Sequence, residues 1–165
     1  MTRRGVLLAG AACASLFGCG FTPVYRPGGA AAALRNQVAI GVTRGRAGFE
    51  LREQLENRLG PAVPDAPWQL TFRLDITRTG VALTEEEGIT RERLTGHAAF
   101  TVRHRGAHRG GVVLRGRVRA VTAYSTTSAT FASAAAATDA RVRLARALAD
   151  KIAERIALTA GDWAR

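Results

Sequence analysis

The apolar residues of this chain fall into short runs of distinct period, and each run predicts an element. Val38, Ile40 and Val42 alternate with small or polar residues, the period of a short strand. Over residues 47–59 the period lengthens. Leu51, Leu55 and Leu59 recur every four residues, with Glu50, Arg52, Glu53 and Glu56 around the rest, which predicts an amphipathic helix. Gly60 and Pro61 end it, and Pro61, Pro64 and Pro67 stiffen the following loop. The clearest alternation comes next. Trp68, Leu70, Phe72, Leu74 and Ile76 point one way, and Gln69, Thr71, Arg73, Asp75 and Thr77 the other.

A loop at Glu85-Glu86-Glu87-Gly88 leads to a strand over residues 90–105, with Leu94, Ala98, Phe100 and Val102 inward. Residues 106–111 read as a turn. A last strand over 112–124 turns Leu114, Val118, Ala120 and Tyr124 inward. The polar cluster at 125–130 is able to cap a helix over 131–158. One stripe of that helix carries Phe131, Thr138, Val142, Ala145, Leu148, Ala149, Ile152 and Ile156. Arg143, Arg146, Asp150 and Glu154 lie opposite, and the spacing predicts an Arg146–Asp150 pair. Each element is apolar on one side only. The expected fold is therefore α+β, a two-layer sandwich in the order β-α-β-β-β-α. Its two helices pack on one face of a four-stranded, mostly antiparallel sheet.

The first residues break this pattern. Thr2-Arg3-Arg4 is a basic start, and residues 5–17 are apolar and uncharged. That run is shorter than the ~20 residues a spanning helix needs, and has the length of a signal-peptide hydrophobic region. It ends Leu16-Phe17-Gly18-Cys19, a pattern that looks like a lipobox, with Phe17 larger than the usual Ala or Ser. Residues 1–18 are thus expected to be a lipoprotein signal peptide and Cys19 the lipidated first residue of the mature chain. Arg3-Arg4 also resembles a twin-arginine export signal. Several acyl chains, at ~0.8 kcal/mol per buried methylene, would make the anchor effectively permanent. Gly20 stands where Asp would hold an enteric-type lipoprotein at the inner membrane, which favours the outer membrane. Pro23, Pro27, Gly28 and Gly29 make residues 19–35 a tether of roughly 20 Å, and the folded domain is expected over 36–160.

Composition then narrows the chemistry. Hydrophobic residues make up 47% of the chain, enough for a core. With Cys13 removed and Cys19 acylated, no thiol remains for a disulfide or a Cys-type metal site. The net charge is +11, almost all arginine, with Lys151 the single lysine. Loss of Arg3 and Arg4 with the signal leaves +9. The arginines are not scattered. Arg91, Arg93, Arg103 and Arg105 on one strand, Arg115, Arg117 and Arg119 on the next, and Arg73 before them all take outward positions. Asp75 is the clearest acid among them. Like charges facing one another across strands are destabilising, so the repeat points to an anionic partner, and arginine grips phosphate bidentately. The competing reading is that arginine is simply this chain's solubilising residue, as the single lysine suggests.

Nucleic acid binding would require interleaved exposed aromatics or a recognised motif, and neither is present. Export also separates the chain from nucleic acid. There is no glycine-rich loop with a lysine and no nucleophile elbow. His97, His104 and His108 have no carboxylate set beside them, and Glu85-Glu86-Glu87 reads as a solvated loop. No catalytic residue, cofactor or metal is expected.

The stretch Cys19-Gly20-Phe21-Thr22-Pro23-Val24-Tyr25-Arg26-Pro27, the element order, and Ala123-Tyr124-Ser125 followed by Ala132 and the helix around Asp139 resemble the LptE family, most closely its alphaproteobacterial branch. The resemblance implies a non-enzymatic, lipid-anchored protein of the outer membrane that faces the periplasm. It would bind lipopolysaccharide, plug the LptD β-barrel and assist its assembly. The arginine face would then meet the phosphates of lipid A and the inner core, or the polar lumen of the barrel. Cys19 is the one residue carried over from the family. A second reading is an auxiliary lipoprotein of an envelope phospholipid transport complex of the ABC type. A periplasmic hydrolase lacks its constellation.

Overall fold

The computed structural model describes residues 28–82, 90–106, 111–127 and 129–164. Cys19, the 85–88 loop, His108 and most of the 106–111 turn lie outside the described residues. The described elements are α1 (Ala30–Ala33), β1 (Val38–Ile40), α2 (Arg46–Leu59), β2 (Trp68–Ala82), β3 (Thr90–His104), β4 (Val112–Thr126) and α3 (Thr130–Trp163).

The sheet has the order β1-β2-β3-β4. β1 runs parallel to β2 over three pairs, Val38↔Trp68 to Ile40↔Leu70, and the rest is antiparallel. The register sets the inner face in rows that mix large and small side chains: Phe72–Phe100–Gly116, Leu74–Ala98–Val118 and Ile76–Gly96–Ala120. Such alternation lets a helix lie close without voids. α3 packs over β3 and β4, and α2 lies beside α3 and against β1. Leu51 and Leu55 of α2, Leu144, Leu148, Ile152 and Ile156 of α3, and Leu70, Leu94 and Val102 of the sheet are fully buried between them. At 34 residues, α3 is about 51 Å long, which matches a 15-residue strand of about 51 Å. The expected α+β sandwich, with its helices on one face, is the observed one.

The differences have local causes. The chain is structured well before residue 36. The alanine run forms α1, and Leu34, 2% exposed, seats in the core. Alanine is the best helix former, and here it has an apolar anchor beside it. Val42, expected in β1, is 94% exposed, because pairing with β2 stops at Ile40. Phe131, expected inward, is 88% exposed: α3 at that point has run past the cover it needs. The expected Ser/Thr cap is replaced by Ala129, which makes no side-chain cap hydrogen bond to α3. Ser125 and Thr126 extend β4, Ala129 occupies the cap, and Ser133 Oγ instead bonds both the N–H and the C=O of Thr127. The helix continues past 158 to Trp163, whose ring stacks edge-on against Trp68 at 4.9 Å.

The expected Arg146–Asp150 pair gives way to contacts between the helices. Arg146 reaches Glu50 at 3.5 Å, while Asp150 accepts from Arg58 at 2.7 Å and from Gln54 at 2.9 Å. α2 brings these partners along the polar margin of α3, and they compete successfully with an i,i+4 contact worth only a few tenths of a kcal/mol. The hydrogen bond from Arg58 outweighs the partial burial of Asp150. With the Gln54 bond and the Arg58 charge added, it holds the carboxyl below its ordinary value of 3.8.

Two predictions follow from this packing. A side chain at Gly96 would start 2.8 Å from Leu148 Cδ1 and 3.1 Å from Leu144, both buried, whereas Gly80 has nothing within 4 Å. Gly96→Val is expected to cost about 1–3 kcal/mol in urea unfolding, and Gly80→Val to be neutral or slightly stabilising. For Asp150, a lowered folded pKa means that its contribution is complete well above pH 3.8 and fades as pH falls through the folded value. Because the pair is substantially exposed, Asp150→Asn should cost only about 0.5 kcal/mol at neutral pH. That cost should vanish in strong acid, and equal costs at both extremes would contradict the account.

Candidate anion-binding face

Burial of one sheet face beneath the helices leaves the other to solvent. On β2 the outward positions are Gln69, Thr71, Arg73, Asp75 and Thr77, all exposed. The register carries this face across the sheet. Arg73 is followed by Ala99 on β3 and Arg117 on β4. Thr71 leads to Thr101 and Arg115, and Asp75 to His97 and Arg119. Further along, Thr79–Arg93–Ala123 and Val81–Arg91–Ser125 form two more rows. Arg103 lies beside Gln69 at the opposite end, where a register irregularity sets it against Val112.

Seven of the eight predicted arginines therefore share the open face: Arg73, Arg91, Arg93, Arg103, Arg115, Arg117 and Arg119, each exposed. Arg105 does not. β3 ends at His104, and Arg105 turns back to the loop before β2, its N–H bonding Pro67 O at 2.7 Å and its Nη1 approaching Pro64 O at 3.4 Å. The strand is one residue shorter than expected, and that residue becomes a clasp.

The expectation of arginines facing one another across strands is also corrected. No two of the seven are direct cross-strand partners; Thr101, Ala99 and His97 separate the β4 arginines from β2. The stagger removes the closest like-charge contacts while keeping the charge dense. Arg115, Arg117 and Arg119 are spaced by about 6.8 Å along β4, and Arg73 and Arg117 stand about 10 Å apart across Ala99. A shallow hollow lined by Thr71, Phe72, Arg73, Ala99 and Thr101 lies there. Arg73 is the arginine that lines this hollow, beside the small side chains of Thr71, Ala99 and Thr101.

None of these seven arginines takes part in an ion pair among the described residues. Among the described residues the ion pairs are Arg46–Glu50, Arg52–Glu56, Arg58–Asp150, Arg78–Glu92, Arg143–Asp139 and Arg146–Glu50, none of which uses an arginine of the open face. Five arginines of the helices and Arg78 of β2 meet acids, whereas Arg141, Lys151 and Arg155 of α3 and the seven arginines of the open face are in none of these pairs. β4 is the last strand of the sheet, and charged side chains there also discourage edge-to-edge association.

The basic surface continues around that edge. A groove between β4 and α3 is lined by Arg117, Arg119, Lys151, Arg155 and Leu158, with Glu154 the only acid. Lys151 and Arg155 were missed by sequence reasoning. Their spacing marks one stripe of a helix, but only packing turns that stripe toward β4. His97 sits between Asp75 and Arg119, while His104 stacks edge-on against Trp68 at 4.9 Å and its Nδ1 accepts from Gly106 N–H. Among the described residues no group of His, Cys, Asp and Glu could hold a metal, and no helix is long and apolar enough to cross a membrane.

The described residues form a one-sided α+β sandwich with an exposed arginine-rich face, and three solved structures similar to it in fold are of lipoproteins. A putative lipoprotein from Caulobacter crescentus CB15 superposes with a TM-score of 0.62 at 22% identity, covering 81% of this chain and 96% of its own. The rare lipoprotein B from Shewanella oneidensis gives 0.55 at 14% identity, over 78% and 98%. A minor lipoprotein from Acinetobacter baumannii gives 0.50 at 15%, over 74% and 89%. At these identities the likeness is one of fold. The family model LptE, lipopolysaccharide-assembly, matches residues 34–156, and the chain belongs to that family. It is a family of non-enzymatic lipoproteins of the outer membrane that work with the lipopolysaccharide transport machinery. No curated protein matches the chain.

Because the open-face arginines take no part in the ion pairs, exchanging Arg115, Arg117 and Arg119 together for Ser should leave unfolding stability within about 0.5 kcal/mol. A loss well above 1 kcal/mol in urea titration would mean that they stabilise the fold.

Proposed function

We propose that this protein is anchored to the outer membrane through an acylated Cys19, binds the phosphorylated glycolipid of lipopolysaccharide on its open sheet face, and sits within the LptD barrel as a plug. The observation that carries the reading is the set of seven exposed arginines on one sheet face, none of them ion-paired among the described residues. Family membership supplies the ligand class: lipid A and the inner core are phosphorylated, and an arginine fork matches phosphate geometry. The same face suits the polar lumen of a large barrel, so ligand contact and barrel contact draw on one surface. Anion binding here needs no catalytic group, since affinity comes from charge and geometry alone.

The experiment has two readouts. Each arginine near an anionic surface contributes about 1 kcal/mol at low salt. The folded triple variant Arg115→Ser, Arg117→Ser, Arg119→Ser should therefore bind lipopolysaccharide roughly a hundredfold more weakly at low ionic strength, with the difference shrinking as salt rises. Unchanged affinity would return these arginines to a solubilising role. Tagged protein extracted from envelopes should carry a large outer-membrane barrel with it. Recovery of inner-membrane transporter subunits and no barrel would sink the plug reading.

A further inference from the structure

The two edges of the sheet are protected unequally. β1, at one edge, has only three residues, and shortness is itself a defence against pairing. β4, at the other, has fifteen residues with no proline and no charge on its inner face. Its pairing with β3 is regular except beside Val102 and Arg103. The register fixes which backbone groups of β4 are open. Gly41 N–H donates to Leu70 O and Trp68 N–H to Gln37 O, so the even-numbered residues of β2 turn their backbone groups to β1. Alternation then turns the odd-numbered residues of β2 toward β3. Through the pairs Thr77↔Thr95 and Gly96↔Ala120, it turns the odd-numbered residues of β4 away from the sheet. Arg143 Nη2 lies 3.4 Å from Ala123 O, in accord with that parity. Arg115, Arg117, Arg119 and Val121 thus point their N–H and C=O groups outward, and among the described residues no further strand lies beside them.

Side chains add a second feature. The groove between this edge and α3 has a volume of about 390 Å³, and Gly116, Val118, Lys151, Arg155 and Leu158 are among its lining. Gly116 presents no side chain there, since the Phe100 ring lies 2.5 Å from where its Cβ would stand. Leu158 is 57% exposed and Val121 51%, so apolar surface is interleaved with the cations. Lys151 and Arg155 stand about 6 Å apart along α3, and successive arginines of β4 about 6.8 Å. The second spacing is the repeat of alternate residues in any extended chain laid alongside.

We infer that the β4 edge, over residues 115–121, takes an acidic, extended segment of another protein as a fifth strand. Acids of that segment stand opposite Arg115, Arg117 and Arg119. Its alternate, apolar residues turn over Gly116 toward Leu158, and its backbone satisfies the outward N–H and C=O groups. Charge selects the occupant. A second copy of this chain would set β4 arginines against β4 arginines, and like charges directly opposite are destabilising. A phosphorylated glycolipid would engage the guanidinium groups and leave the backbone row unpaired, whereas an acidic strand answers both. The inference goes beyond the glycolipid reading. A strand added in the plane of the sheet leaves Arg73, Arg91, Arg93 and Arg103 free on the open face, and it is compatible with a domain enclosed in a polar lumen.

The probe is a short dye-labelled peptide of alternating Glu and Val, added to full-length protein in nonionic detergent. Salt is kept at ~0.15 M, where exposed charges are screened beyond about 8 Å. Amide hydrogen exchange should slow at Arg115, Arg117, Arg119 and Val121 when the peptide binds. Two further peptides carry backbone N-methyl groups, one on every Glu and the other on every Val. One edge of an added strand faces β4 and the other faces solvent. One methylated peptide should therefore still bind, and the other should bind roughly tenfold more weakly or worse. The variant Arg117→Glu, Arg119→Glu should lose the Glu-Val peptide and gain a Lys-Val one. Absence of binding to the wild-type chain overturns the inference, as does a folded variant that still holds the Glu-Val peptide. Equal affinity of the two methylated peptides, or binding without slower exchange in β4, would mean that side-chain charge alone holds the peptide, and also overturns it. The same four amides protected by lipopolysaccharide would give the edge to the glycolipid, and their protection in a dimer would give it to a second copy; either result sinks the proposal. The peptide comparison uses only the wild-type chain, so it decides the matter even where the charge-reversed variant fails to fold.

Discussion

The fold depends on close contact between α3 and one face of a twisted four-stranded sheet. Small residues on both sides permit it. α3 buries Ala137, Ala140, Ala145, Ala149, Ala153, Ala157 and Ala160, while the sheet offers Gly96, Ala98, Gly116 and Ala120. Larger side chains then interlock in the remaining space: Leu144 and Leu148 over Gly96, and the Phe100 ring over Gly116. No cysteine follows Cys19 in the sequence to staple this arrangement, so its stability comes from apolar area removed from water, at ~25 cal/mol per Å².

Burial on one side dictates the character of the other. A sheet with both helices on one face must present a polar surface opposite, and this sequence fills it with arginine where threonine or a mixture of charges would serve solubility. The stagger across β2, β3 and β4 spaces those arginines by about 7–10 Å, near enough to act together on a phosphorylated ligand and far enough apart to limit repulsion. The helices behave differently, pairing Arg58, Arg143 and Arg146 with acids. Acids thus cluster where they meet arginines between and along the helices, while the open sheet face and the α3 margin with Lys151 and Arg155 carry arginine and lysine outside those pairs.

Lipoproteins of 14–22% identity keep the same fold over nearly their whole length. A scaffold set by periodic apolar positions and a few close approaches tolerates that divergence, because volume and patterning, more than residue identity, maintain a core.

Much of the architecture could be read from the chain itself. Period-2 runs in β2, β3 and β4 and the four-residue spacing of leucines in α2 are local signals, and the fold class, the element order and the outward parity of the arginines follow from them. Tertiary structure decided what local pattern cannot carry. It made a helix of the alanine run before Leu34, because Leu34 finds a seat near Leu59 and Ile156. It moved Asp150 from Arg146 to Arg58 and took Arg105 off the sheet face to clasp the loop before β2. It set the register that separates Arg73 from Arg117 by Ala99 and turned Lys151 and Arg155 toward β4. Periodicity says which side of an element is wet; only packing between elements says what lies across from each residue on that side.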